Sequence, residues 1–205
     1  MTALASLEVP NFRRWFVGQT LSSTGAWFHT LALALVALDL TGRGAALGII
    51  VALQWLPLLV AGSHAGALLD RHDLRRVLIA TNAVNTALAT GLVIVAATGR
   101  LSTWWLGAFS LAFGIVLTVE RPATVLVPVE LVPPDLVSNA LGLNSMTLSL
   151  ARLLGPALAG ITLSLTSPAW CFAVNAASFA LALAFVGRLD VAALFARPRG
   201  EGGRG

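Results

Sequence analysis

The chain has 205 residues, 57% apolar and 11% charged, with a mean hydropathy of +0.85, well above what a water-soluble domain carries. Its formal net charge is +4 without a single lysine, and the arginines fall between apolar runs rather than in one basic patch interleaved with aromatics, so nucleic acid is not an expected partner. The one cysteine, Cys171, excludes an internal disulfide and reads as a small apolar helix residue.

Several charge-free apolar runs reach the length of about 20 residues that a bilayer core demands of a helix, so the expected class is an all-α polytopic membrane protein embedded in lipid. The first run follows Arg13 and Arg14, is longer than the apolar region of a signal peptide, and has no small-residue cleavage site ahead of a soluble domain. It is expected to remain attached. The spans expected in chain order are 15–38, 46–69, 77–97, 104–125, 136–165 (its first turn interfacial) and 170–186. Short joints separate them: "DLTGRG" after the first, "DRHDLRR" after the second, "TGRLS" after the third, "VELVPPD" after the fourth and "TSP" after the fifth. Residues 1–189 thus form one six-helix bundle, and the glycine-rich polar tail 190–205 is expected to be disordered.

With six crossings both termini share a side. Arg13, Arg14, Arg71, Arg75, Arg76, Arg121, Arg188, Arg197, Arg199 and Arg204 fall on that side, against Arg43 and Arg100 opposite, so the positive-inside bias puts both ends in the cytoplasm. Trp15, Trp104, Trp105 and Trp170 lie at span ends and are read as aromatic-belt residues.

Polar residues inside the spans are the candidates for function, because each is costly there. Gln19, Ser22, Ala26, His29 and Thr30 recur at helical spacing on the first span and offer a face that can line a cavity. His29 belongs to the residue type that can titrate near physiological pH, although a lone histidine is more often a packing residue, and the packing reading is also the one for His64 beside Ser63. Gln54 and Pro57 add a donor and a bend to the second span. Glu120 is the only acid well inside a span and the best candidate for a coupling group, unless its neighbour Arg121 holds it ionised and inert. Arg152 sits near the middle of the fifth span, where it must face water, a cavity or a partner such as Glu120. Pro156 leaves the carbonyl of Arg152 without its helical donor and favours a bend, Gly160 continues that face, and Ala151, Gly155 and Ala159 form a small-residue stripe beside it.

The densest charge cluster is "GALLDRHDLRRVL" at 66–78. Gly62, Gly66 and Asp70 are four apart, so two glycines allow close helix packing along a face that ends in a carboxylate. A charge run alone would be a solvated topogenic loop. "GALLDRHDLRR", however, resembles the loop between the second and third helices of the major facilitator superfamily. "NFRRWFVGQTLSSTGAW", "LDLTG", "ALQWLP", "RPATVLVPVELVPPDLVSNALGLNS" and "ARLLGPALAG" extend the resemblance from Asn11 to Leu189, to the N-terminal half of the drug:proton antiporter branch that includes siderophore (enterobactin-type) and macrolide exporters.

That resemblance implies the N-terminal six-helix half of the major facilitator fold, built of 3+3 inverted repeats, exporting an amphipathic small molecule by alternating access. It implies the proton gradient as coupling ion with no cofactor or metal, and residence in a bacterial cytoplasmic membrane. It also implies a cytoplasmic gate made of Gly62, Gly66, Asp70, Arg71, Asp73, Arg75 and Arg76, and it places Arg152, Gly155 and Pro156 in the antiporter motif. The pattern departs from the family in the fourth helix, where Glu120, Arg121, Pro122, Ala123 and Thr124 stand for Asp-x-Pro-Ala-Arg, and at Ser63, where proline is common. Because the family places its substrate between two halves, a second six-helix half or a homodimeric copy is the implied partner. The alternative is a truncated, non-transporting half or membrane scaffold. An intramembrane enzyme is not expected: Ser63 and His64 are adjacent and point in different directions, and no span carries a cluster of carboxylates.

Overall fold

The computed structural model describes residues 4–195, except for the side chains of Ala67, Asp70 and Arg71. Six long helices run in chain order: α1 (Pro10–Thr41), α2 (Gly44–Arg71), α3 (Leu74–Ala97), α4 (Thr103–Leu131), α5 (Val137–Leu165) and α6 (Pro168–Gly187). All six are long and apolar enough to cross a membrane, and no strand occurs among the described residues. Single 3-10 turns precede α1 (Ala5–Glu8) and α5 (Pro134–Leu136) and follow α6 (Val191–Ala193).

Local chemistry sets the ends. Pro10 and Pro168 open α1 and α6 at positions where a missing N–H costs nothing. Gly42 closes α1 in the left-handed conformation, φ +61°, donating its N–H to Leu38 O. The Asp73 carboxylate caps α3 by accepting from the N–H groups of Arg75 and Arg76 at 2.8 and 3.4 Å.

In packing, α1 lies against α6 and α5, α2 against α4, and α3 against α6 and α4. Glycines let these backbones meet. A Cβ on Gly25 of α1 would collide with Ser178 of α6, and one on Gly155 of α5 would come within 2.7 Å of Trp27 Cβ on α1. Burial is uneven. Only 6% of the apolar stretch of α2 is buried, against 44% for α1, so α2 is a peripheral helix whose outer face has no neighbour among the described residues.

Two apolar clusters close the ends of the bundle. At the end holding Leu7 and Leu194, Phe12, Trp15, Leu74, Leu78, Val127, Leu131 and Val186 pack together; at the other, Phe28, Leu33, Ile50, Leu92, Leu106 and Phe172 do so. Trp15 therefore departs from the aromatic-belt expectation. It is 1% exposed, because the segment before α1 folds underneath it and adds Leu7 and Val9 to the same cluster. Trp104, Trp105 and Trp170 are exposed at the opposite end.

The tail also departs from expectation over 190–195. Asn11 clamps Asp190, donating from Nδ2 to its carbonyl at 2.8 Å and accepting from its N–H at 3.0 Å, and the Phe195 N–H donates to Glu130 O at 2.9 Å. Residues 196–205 lie outside the described part.

Candidate functional site

Between the two apolar clusters, at mid-depth, lies a cavity of about 100 Å³. Ala26, His29 and Thr30 of α1 line it together with Gln54 of α2, Asn85 of α3, Phe113, Leu117 and Glu120 of α4, and Asn175 and Phe179 of α6. Ala26 and Thr30 are exposed and form its mouth. A Cβ on Gly114, one residue after Phe113, would overlap the backbone carbonyl of Gln54, so α4 and α2 approach closely beside the wall.

The polar groups cross helix boundaries. Asn85 Nδ2 donates to Glu120 Oε2 at 2.6 Å and joins α3 to α4. His29 is buried with its ring 4.9 Å from Phe113 and 5.7 Å from Phe172, and neither ring nitrogen has a hydrogen-bond partner. Asn85 Oδ1 and Asn175 Oδ1 are likewise buried without partners. Arg121 turns the other way, with its guanidinium 5.0 Å from the centre of the Trp55 ring on α2, a cation–π contact. Among the described residues no ion pair reaches Glu120, from Arg121 or from Arg152.

Of the residues singled out in the sequence, Ala26, His29, Thr30, Gln54 and Glu120 meet at the cavity. Gln19 does not line it; its Nε2 donates to Ser23 Oγ at 3.1 Å on its own helix. Arg152 is exposed on the outer side of α5, the side that also carries Gly160, while Ala151, Gly155 and Ala159 are buried. Pro156 lies inside α5 on the turn after Arg152. Asn85, Asn175, Phe113 and Phe179 were not singled out. The available signal was two carboxamides in apolar spans, groups that must find a partner across a helix interface.

At the end with the start of α1 and the close of α6, the charge cluster divides. Asp73 is the α3 cap and lies 3.8 Å from Arg76 Nε in an exposed pair. Arg75 Nη2 donates to Gly187 O at 2.7 Å, so this arginine satisfies a free carbonyl at the C-terminus of α6 and sits at the negative end of its dipole. Arg14 does the same for Arg188 O at 3.1 Å. The side chains of Asp70 and Arg71 lie outside the described residues. A Cβ on Gly66 or Gly160 would meet nothing within 4 Å, and on Gly62 only its own helix's Leu58, so no described helix packs on those faces.

The bundle thus gathers His29, Gln54, Asn85, Glu120 and Asn175 from five membrane-spanning helices around one cavity. Residues 1–195 match the family described as transmembrane secretion effector, and the chain belongs to that family of major facilitator superfamily transporters. It is an integral membrane protein of a transporter family, not of an enzyme class. Among curated proteins it is similar to macrolide efflux protein A of Streptococcus pyogenes, 26% identical over 149 residues that cover 73% of this chain and 37% of that protein. It is also similar to an uncharacterised major-facilitator-type transporter of Bacillus subtilis, 26% identical over 182 residues, 85% of this chain and 42% of that one. A macrolide efflux protein A of Enterococcus faecalis is 29% identical over 112 residues, 55% of this chain and 35% of that protein. The chain thus spans well under half the length of these relatives.

Proposed function

We propose that the chain is one six-helix half of a proton-coupled exporter, moving an amphipathic small molecule out of the cytoplasm by alternating access. The efflux proteins among its relatives support the direction, and the positive-inside bias supports cytoplasmic ends. The observation that carries the coupling role is Glu120: an acid inside a span, facing a mid-depth cavity, with the neighbouring guanidinium turned away onto Trp55. Such a carboxyl exchanges a proton with whatever fills the cavity without an arginine locking it as an ion pair. Uptake of an amphipathic fluorescent dye into inverted membrane vesicles tests this. Glu120→Gln should abolish the dependence of uptake on the pH gradient, and dependence at the wild-type level would move coupling to another group.

The exposed faces of α2 and α5 support a second six-helix unit, either another half or a second copy, as the other wall of the path. Gly62, Gly66 and Gly160 leave room there for close approach, and Arg152 needs a partner or water at that depth. The gate reading for Asp70, Arg71 and Arg76 belongs with such a partner. Arg75 and Asp73 hold helix ends whether or not a gate forms. A chain that never pairs would instead be a non-transporting half.

A further inference from the structure

The contact between Asn85 and Glu120 uses half of the amide. Asn85 Nδ2 donates to Glu120 Oε2 at 2.6 Å, while Oδ1 on the same planar head is buried without a partner, in a residue that is 2% exposed. Buried acceptors are normally paired. The head is held in place, because Leu78, Asn82, Ala89 and Leu92 put the same face of α3 into the core, against α4 and α6. Its bare oxygen therefore stays beside the acid.

What Oδ1 lacks, a protonated carboxyl has. An ionised carboxyl only accepts, whereas a protonated one donates through one oxygen and accepts through the other. A carboxamide carries one donor side and one acceptor side and serves both forms; arginine and lysine offer donors only and serve the ionised form alone. This complementarity holds in either charge state of Glu120. The surroundings leave the task to Asn85. His29 of α1, Gln54 of α2 and Asn175 of α6 reach the same cavity, yet among the described residues Asn85 alone is hydrogen-bonded to Glu120. Arg121 lies over Trp55, Arg152 is exposed on the outer side of α5, and no described ion pair reaches the acid.

We infer that Asn85 is a positioning residue for Glu120 that holds the same carboxyl in both of its charge states. To the carboxylate, Nδ2 donates as observed. When a hydronium in the cavity gives its proton to Oε1, an O–H bond forms, a water is released, and the new O–H donates to Asn85 Oδ1 while Nδ2 keeps Oε2. The two heads then pair edge to edge. Only the terminal carboxyl torsion, which is soft, has to adjust, so the proton arrives without a helix shift. That Glu120 exchanges a proton during transport rests on the coupling reading above; the pairing of the two heads does not.

The test is infrared difference spectroscopy of the purified chain in lipid nanodiscs during an acid titration. The carboxyl C=O stretch that vanishes in Glu120→Gln reports the protonated acid, and its wavenumber falls with each hydrogen bond the group makes. In the parent this band is expected on the low-wavenumber side of the carboxylic-acid region, together with a shift of a side-chain amide band as Oδ1 gains its partner. Asn85→Leu, of similar size but without either polar atom, should move the acid band up and abolish the amide shift. A merely structural role for Asn85 would lower stability and leave the acid band where it was. An acid band unmoved in Asn85→Leu, or no Glu120-dependent band at any pH, would overturn the inference. If Asn85→Leu loses its helical circular dichroism, Glu120→Asp decides, because it withdraws the acid by one methylene and leaves Asn85 in place; a band still at the parent position overturns the pair. A moved band alongside wild-type gradient dependence in Glu120→Gln vesicles would leave the pair standing and overturn the coupling reading; an unmoved band with that dependence abolished would do the reverse.

Discussion

Replacing Gly114 by alanine tests whether the contact between α2 and α4 is as rigid as it is close. A Cβ at that position would strike the Gln54 carbonyl oxygen, with the carbonyl carbon at 2.9 Å and Cα at 3.1 Å. These are backbone atoms, so no rotamer change relieves the overlap and α2 must move as a unit. Overpacking of this kind costs about 1–3 kcal/mol, from which alanine's advantage over glycine in a helix, about 0.5–1 kcal/mol, is subtracted. The net expectation is a loss of about 0.5–2 kcal/mol, roughly 2- to 30-fold in the unfolding equilibrium. Gly66→Ala is the matched control, because a Cβ there meets nothing within 4 Å and only the helix advantage of up to about 1 kcal/mol remains. Unfolding in mixed micelles of dodecyl sulfate and dodecyl maltoside, followed by far-ultraviolet circular dichroism, reads both. Gly114→Ala unfolding at the same dodecyl sulfate fraction as the parent, or at a higher one, would refute the rigid contact.

Asp73→Ala should lower stability by about 1 kcal/mol in the same assay through loss of the α3 cap, while Asp73→Asn, which keeps an acceptor, stays near the parent. Cys171 is fully buried in the cluster with Phe172, so a maleimide should label it only after unfolding; labelling of the folded protein would mean that this end of the bundle opens.

The helices were legible because their apolar runs are long and their joints are charged or rich in glycine and proline, signals that survive without tertiary context. The depth and rotation of a side chain are decided by packing, and there the sequence was less informative. Glu120 and His29 stood out because charge and imidazole are rare in spans. Asn85 did not, although it supplies the partner of Glu120, because a carboxamide among Ala, Leu and Thr reads as ordinary until another helix is placed beside it. Arg75 was read as a member of a gate network, yet its hydrogen bond runs to Gly187, 112 residues away in sequence, a pairing that no local spacing encodes. Trp15 sits at the edge of an apolar run in one dimension and at the centre of a cluster in three.

The placement of the two apolar clusters has a consequence for electrical insulation. Phe12, Trp15 and Leu131 on one side and Leu33, Leu92 and Phe172 on the other bracket the polar layer with side chains that offer an ion no ligand. A charge entering at Thr30 therefore meets a hydrocarbon barrier in both directions along the bundle axis, and its route lies back through the mouth. Along the bundle axis, these six helices therefore present a layered dielectric: hydrocarbon at each end and one polar recess between, open to the side.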